Sequence, residues 1–96
     1  MRRVYVVSYD ISDPKRLKRV YKSMRRYGEH VQLSVFLCRL SEKMKKQMLR
    51  ELSAIIDEED DQILLFPMGT EKKFEDVNIA ALGRSLVLAR RSALIC

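Results

Sequence analysis

The chain has 96 residues and a formal net charge of +6, with 19 Lys and Arg against 13 Asp and Glu. With 47% hydrophobic and 33% charged residues, it is read as one soluble globular domain, which excludes a disordered chain and a membrane-spanning one. No apolar run approaches a membrane span and Met1-Arg2-Arg3 leads straight into a strand-like run, so the expected location is the cytoplasm, with no membrane partner. Cys38 and Cys96 are too few and too far apart for a disulfide framework or a cysteine metal site, and are read as reduced thiols.

Val4 to Val7 are β-branched or aromatic and predict a short buried strand. Asp10 follows at its end. Asp13 before Pro14 is a helix start: the Asp side chain accepts from a free backbone N–H, and Pro at the first helical position gives up no hydrogen bond. Asp10 thus stands at the mouth of a strand-to-helix turn, either organising that turn or, ionised, holding a divalent cation or accepting a proton.

In the helix, Leu17, Val20, Tyr21 and Met24 make one apolar stripe for packing on a sheet. Lys15, Arg16, Lys18, Arg19, Lys22, Arg25 and Arg26 fill the remaining positions. Like charges at this density repel one another unless an anion is near, which points to phosphate contact. Gly28 is expected to close the helix in a left-handed conformation.

Val31 to Cys38 alternates, with Val31, Leu33, Val35 and Leu37 on one face. It is either one strand or a hairpin turning near Ser34, and periodicity does not choose. His30, the only histidine, is read as a surface or partly packed residue. Ser41 caps a second helix along Met44, Met48, Leu52, Ile55 and Ile56. Asp57 to Asp61 predicts a solvated acidic turn. Ile63 to Phe66 predicts an interior strand closed by Pro67 and Gly69, and Thr70 to Asp76 a mobile polar loop. Val77 to Leu82 alternates as a further strand, and the apolar tail from Ser85 to Cys96 calls for a sheet edge to pair with, its own or a partner's.

This order of elements is that of an α+β, ferredoxin-like βαββαβ sandwich with an extra C-terminal strand. No Gly-rich phosphate loop, zinc spacing or nucleophile elbow is present.

Taken together, Tyr9-Asp10-Ile11-Ser12-Asp13, the basic helix, Tyr27-Gly28, Val31-Gln32 and Ser34-Val35-Phe36 resemble the CRISPR-associated protein 2 family, the small partner of the spacer-acquisition integrase. The resemblance is densest from Val4 to Leu40. It implies a symmetric homodimer in which residues 84–96 extend the partner's sheet, and a pair of aspartates facing across the interface, matched here by Asp10. It also implies that Tyr9, Arg19, Ser34 and Phe36 lie near the site, with Arg16 as a further basic counterpart. Leu37 departs from the pattern, where many members carry an acid.

One Asp per chain is a thin ligand set for Mg²⁺ (or Mn²⁺), which wants six oxygens; a two-fold axis supplies a second carboxylate. The resulting reading is a metal-dependent endonuclease on RNA or double-stranded DNA. Asp10 is its metal ligand, Arg19, Tyr9 and Phe36 belong to the catalytic site, and Lys15, Arg16, Lys18, Arg19, Lys22 and Ser34 contact nucleic acid. The alternatives are a non-catalytic adaptor bridging integrase dimers and a virulence-associated toxin-type endoribonuclease.

Overall fold

The computed structural model describes residues 1–74, 80–84 and 86. Strand β1 (Arg3–Asp10) leads to helix α1 (Pro14–Met24), hairpin strands β2 (Gly28–Gln32) and β3 (Val35–Leu40), helix α2 (Glu42–Ile55), strand β4 (Gln62–Thr70) and the short helix α3 (Glu71–Phe74). The four strands form one antiparallel sheet in the order β2-β3-β1-β4, the expected α+β arrangement with both long helices on one face. The expected strand from Val77 and the C-terminal strand fall mainly outside the described residues.

Both helix starts follow the sequence. Asp13 Oδ2 accepts from Arg16 N at 2.9 Å, and Ser41 Oγ accepts from Met44 N at 3.2 Å. Side-chain alternation along β1 sends Tyr5, Val7 and Tyr9 toward the helices, where they pack with Val20, Met24, Phe36, Cys38, Leu40, Met48 and Leu52. The helices are also tied to each other, since Glu51 Oε2 accepts from Ser23 Oγ at 3.1 Å and from Arg26 Nη2 at 2.7 Å.

The Val31 to Cys38 segment is a hairpin. It turns at Leu33 and Ser34, where Leu33 takes a φ of 25°. The one-faced alternation therefore fails: Leu33 sits at the turn tip, 89% exposed. Gly28 is also used differently from expectation. Its φ is not positive; it opens β2, and a Cβ there would meet Cys38 Sγ and the Leu37 carbonyl oxygen at 2.5 Å. The absent side chain is what lets β2 approach β3.

Among the described residues β4 lies at the edge of the sheet, not at the expected interior position, and an edge position accommodates Pro67, a residue with no N–H for a ladder. It continues past Pro67 to Thr70, with a register shift opposite Arg3 and Tyr5 and a φ of 98° at Gly69, a bulge at the sheet edge. The expected loop after Thr70 begins instead with α3, whose Phe74 is buried against Val4 and Leu37.

Candidate active site and nucleic-acid interface

Asp10 ends β1 opposite Gln62 and is exposed. It shares the strand face of Val4, Val6 and Ser8, turned away from the long helices. Across the neighbouring strands Val6 pairs with Leu37 and Phe66, and Ser8 with Val35 and Leu64. The outer face is thus apolar, with Phe66 48% exposed and Leu64 43%. Among the described residues, Phe74 covers only the corner at Val4 and Leu37. An apolar sheet face that the described residues leave open has the character of an association surface, and Asp10 stands at its end.

The turn after Asp10 is anchored by a residue distant in sequence. Asp61 Oδ1 accepts from Ser12 N at 3.0 Å and Ser12 Oγ at 3.1 Å, while Oδ2 accepts from Arg16 Nε at 2.7 Å and Asp57 N at 2.9 Å. The Arg16 guanidinium and these donors hold the Asp61 carboxyl well below the usual carboxylate range. The Asp61 side chain is fully enclosed. This corrects the expectation of a wholly solvated acidic turn, and it engages the guanidinium of Arg16, expected to contact nucleic acid, inside the protomer. Asp61 is the site residue that sequence reasoning missed; no local pattern separates it from the acids beside it.

On the helix side, Asp10 borders a groove of about 640 Å³ lined by Tyr9, Ile11, Pro14, Leu17, Lys18, Tyr21, His30, Leu33 and Ser34. Tyr9 and Ser34 therefore do lie beside Asp10, and the Ser34 carbonyl accepts from Tyr9 N at 3.0 Å. Burial pushes the Tyr9 hydroxyl above its ordinary pKa, with Tyr21 adding to the effect, so it stays protonated at neutral pH. Phe36 is wholly buried, its ring centroid 6.2 Å from that of Tyr9 and 5.0 Å from that of His30. Its contribution is to position these rings from beneath, with no exposed surface for a substrate.

Helical spacing sorts the basic residues of α1. Arg16, Val20 and Ser23 turn inward; Pro14, Leu17, Lys18 and Tyr21 line the groove; Lys15, Arg19 and Lys22 share the outer face. Leu17 thus leaves the expected core stripe, at 40% exposure. Arg19 is not among the groove-lining residues, so one protomer does not bring it to Asp10 there. Arg26 pairs with Glu51, and the Arg25 guanidinium lies 5.8 Å from the Tyr21 ring centroid. Lys15, Lys18, Arg19 and Lys22 make no ion pair with the described residues, leaving four cations facing solvent.

No group of three or more His, Cys, Asp or Glu suited to a metal occurs among the described residues. Among the described residues of one protomer, Asp10 stands as a single carboxylate, too few oxygens by itself for a divalent cation.

The family described as CRISPR associated protein Cas2 matches residues 1–76. A Rhodospirillum rubrum protein named CRISPR-associated endoribonuclease Cas2 1 is 44% identical over 93 residues, covering 95% of this chain and 88% of its own. The crystal structure of a hypothetical protein from Thermus thermophilus superposes with a TM-score of 0.75 at 30% identity, covering 91% of this chain and all of that one. Streptococcus pyogenes Cas2, solved at pH 6.5, gives 0.71 at 32% identity, over 83% of this chain and 99% of its own. With a matched family spanning most of the sequence and solved structures of the same overall fold, the chain belongs to the Cas2 family of CRISPR-associated proteins.

Proposed function

We propose that the chain is a homodimeric, Mg²⁺-dependent endonuclease of a CRISPR system, acting on RNA or duplex DNA, with Asp10 of each copy contributing to one shared site. The observation that carries this reading is the position of Asp10, ionisable and exposed at the end of an apolar sheet face that the long helices leave open. Packing two such faces about a two-fold axis buries the apolar surface and brings two equivalent carboxylates toward each other. The pair would hold Mg²⁺, with Mn²⁺ as a substitute; when bound, the ion supplies Lewis acidity toward a phosphoryl oxygen and a more acidic water. The chain's own residues seat and orient the polymer: Lys15, Lys18, Arg19 and Lys22 engage phosphates, and the buried Tyr9 hydroxyl remains a neutral donor. Arg19 is assigned to phosphate contact, reaching the reacting group only where the dimer or the bound strand brings them together. Tyr9 and Ser34 border the site, while Phe36 and Arg16 position it.

A second reading, an adaptor that carries DNA between integrase dimers during spacer acquisition, draws support from the unpaired cations on the outer face of α1, since phosphate contact needs no Asp10. Family membership favours either of these over the toxin-type alternative. The test is a nuclease assay on single-stranded RNA and duplex DNA with Mg²⁺, Mn²⁺ or EDTA, together with capture of a spacer-acquisition integrase from the same host. The nuclease reading expects Asp10→Asn to abolish metal-dependent cleavage while leaving duplex binding within about threefold, because phosphate contacts dominate affinity. Equal cleavage by Asp10→Asn and wild type would overturn it, and capture of the integrase without any cleavage would leave the adaptor.

A further inference from the structure

We propose that the groove beside Asp10 is a binding site for one unpaired nucleobase of a single strand whose phosphates follow α1. The groove presents apolar side chains to water where the fold had no need to. Leu17 is 40% exposed and Leu33 is 89% exposed, although both are large and apolar. Leu33 also takes a φ of 25°, a left-handed conformation that favours Gly or Asn and disfavours leucine. An apolar residue at a strained turn tip that buries almost nothing in its own fold is placed for something outside it. The turn is held from inside the groove, where His30 Nε2 lies 2.5 Å from the Leu33 carbonyl oxygen.

The remaining lining narrows the occupant. Pro14, Tyr21 and the His30 ring add further apolar surface, and the charged lining residues are Lys18 and Asp10. At about 640 Å³, the volume is within the range of small-ligand sites. A nucleotide matches this set: its base is flat and apolar on both faces, and its phosphate needs a cation such as Lys18. The unpaired Lys15, Arg19 and Lys22 on the adjoining helix face then serve the phosphates on either side. A paired and stacked base cannot enter, so the ligand is single-stranded or locally melted nucleic acid. Base binding here does not rest on the nuclease reading above; cleavage of the same strand would.

The test is equilibrium binding in EDTA, where no metal-dependent cleavage competes. The two probes are a fluorescent oligodeoxynucleotide octamer carrying a single thymidine among abasic sites, and the same octamer fully abasic. Wild type is expected to prefer the thymidine probe by about tenfold, the scale of one stacked base. The Leu17→Gln/Leu33→Asn variant should lose that preference while keeping the salt dependence of binding. Leu33→Asn alone lies at an exposed turn that suits Asn, and guards against misfolding of the double variant; it should lose at least about a third of the preference measured as log Kd. Equal affinity of wild type for both probes, no binding of either, or an undiminished preference in the variants would each overturn the proposal, as would displacement by an apolar peptide but not by thymidine monophosphate. Failure of Asp10→Asn to alter cleavage would remove the nuclease reading and leave the base site standing.

Discussion

Arg16 and Asp61, 45 residues apart in the chain, meet with Nε 2.7 Å from Oδ2, and the same carboxylate also holds Ser12 through its N–H and hydroxyl. This joins the turn that leaves Asp10 to the loop that enters β4. Asp61→Asn keeps the shape but removes the charge and replaces one acceptor oxygen with an NH2 that faces N–H donors, so Tm should drop by several degrees at pH 7. Cleavage should fall several-fold with little change in duplex affinity, because the turn carrying Asp10 loosens while the phosphate-binding cations are untouched. Parallel melting curves and single-turnover assays check both.

The same carboxylate sets an acid dependence. Its folded-state pKa is depressed, so its contribution is complete above the unfolded carboxylate value of about 3.9 and is lost as pH falls through that value toward the folded one. The Tm difference between wild type and Asp61→Asn should therefore be constant near neutrality and shrink below about pH 4. A difference that grows on acidification would contradict the assignment.

Gly28 is required for strand approach. In Gly28→Ala the new methyl would meet the Leu37 carbonyl and Cys38 Sγ at 2.5 Å, and backbone on one side leaves little room to relax. A loss of about 2 kcal/mol is expected, as for other overpacked sites, read by urea denaturation. Adding Cys38→Ala should recover only part of it, because the carbonyl remains.

Cys38 is wholly buried, and burial pushes its thiol up to about 12. In a Cys96→Ser background it should not react with a disulfide reagent at pH 8 in the folded state and should react fully in denaturant. Rapid reaction of the folded protein would place it elsewhere than between β2 and the helices.

Much of the frame was legible because its signals are local. Asp13-Pro14 and Ser41 announce both long helices, the periodicity of Val20 and Met24 marks a buried face, and Asp10 follows directly from the end of an apolar run. What was not legible depends on partners far along the chain. Nothing within Asp57 to Asp61 distinguishes the acid that reaches Arg16 from those left in solvent. The turn at Leu33 lacks the Gly or Asn that normally identifies a hairpin, so alternation ran straight through it. Gly28 carried the right residue for the wrong reason, since a close strand and a left-handed cap both select glycine. Ile63 to Phe66 read as interior because both faces are apolar, although among the described residues β4 lies at the sheet edge with one apolar face turned away from the long helices.

The central claim is that two Asp10 carboxylates form one site, and mixing measures this directly. Wild type and Asp10→Asn are combined in equal amounts, allowed to exchange subunits, and assayed for Mg²⁺-dependent cleavage. If both carboxylates of a dimer are required, about a quarter of the wild-type rate should remain, the share of dimers with two intact copies. About half the rate would mean that each copy acts alone and would contradict the shared site.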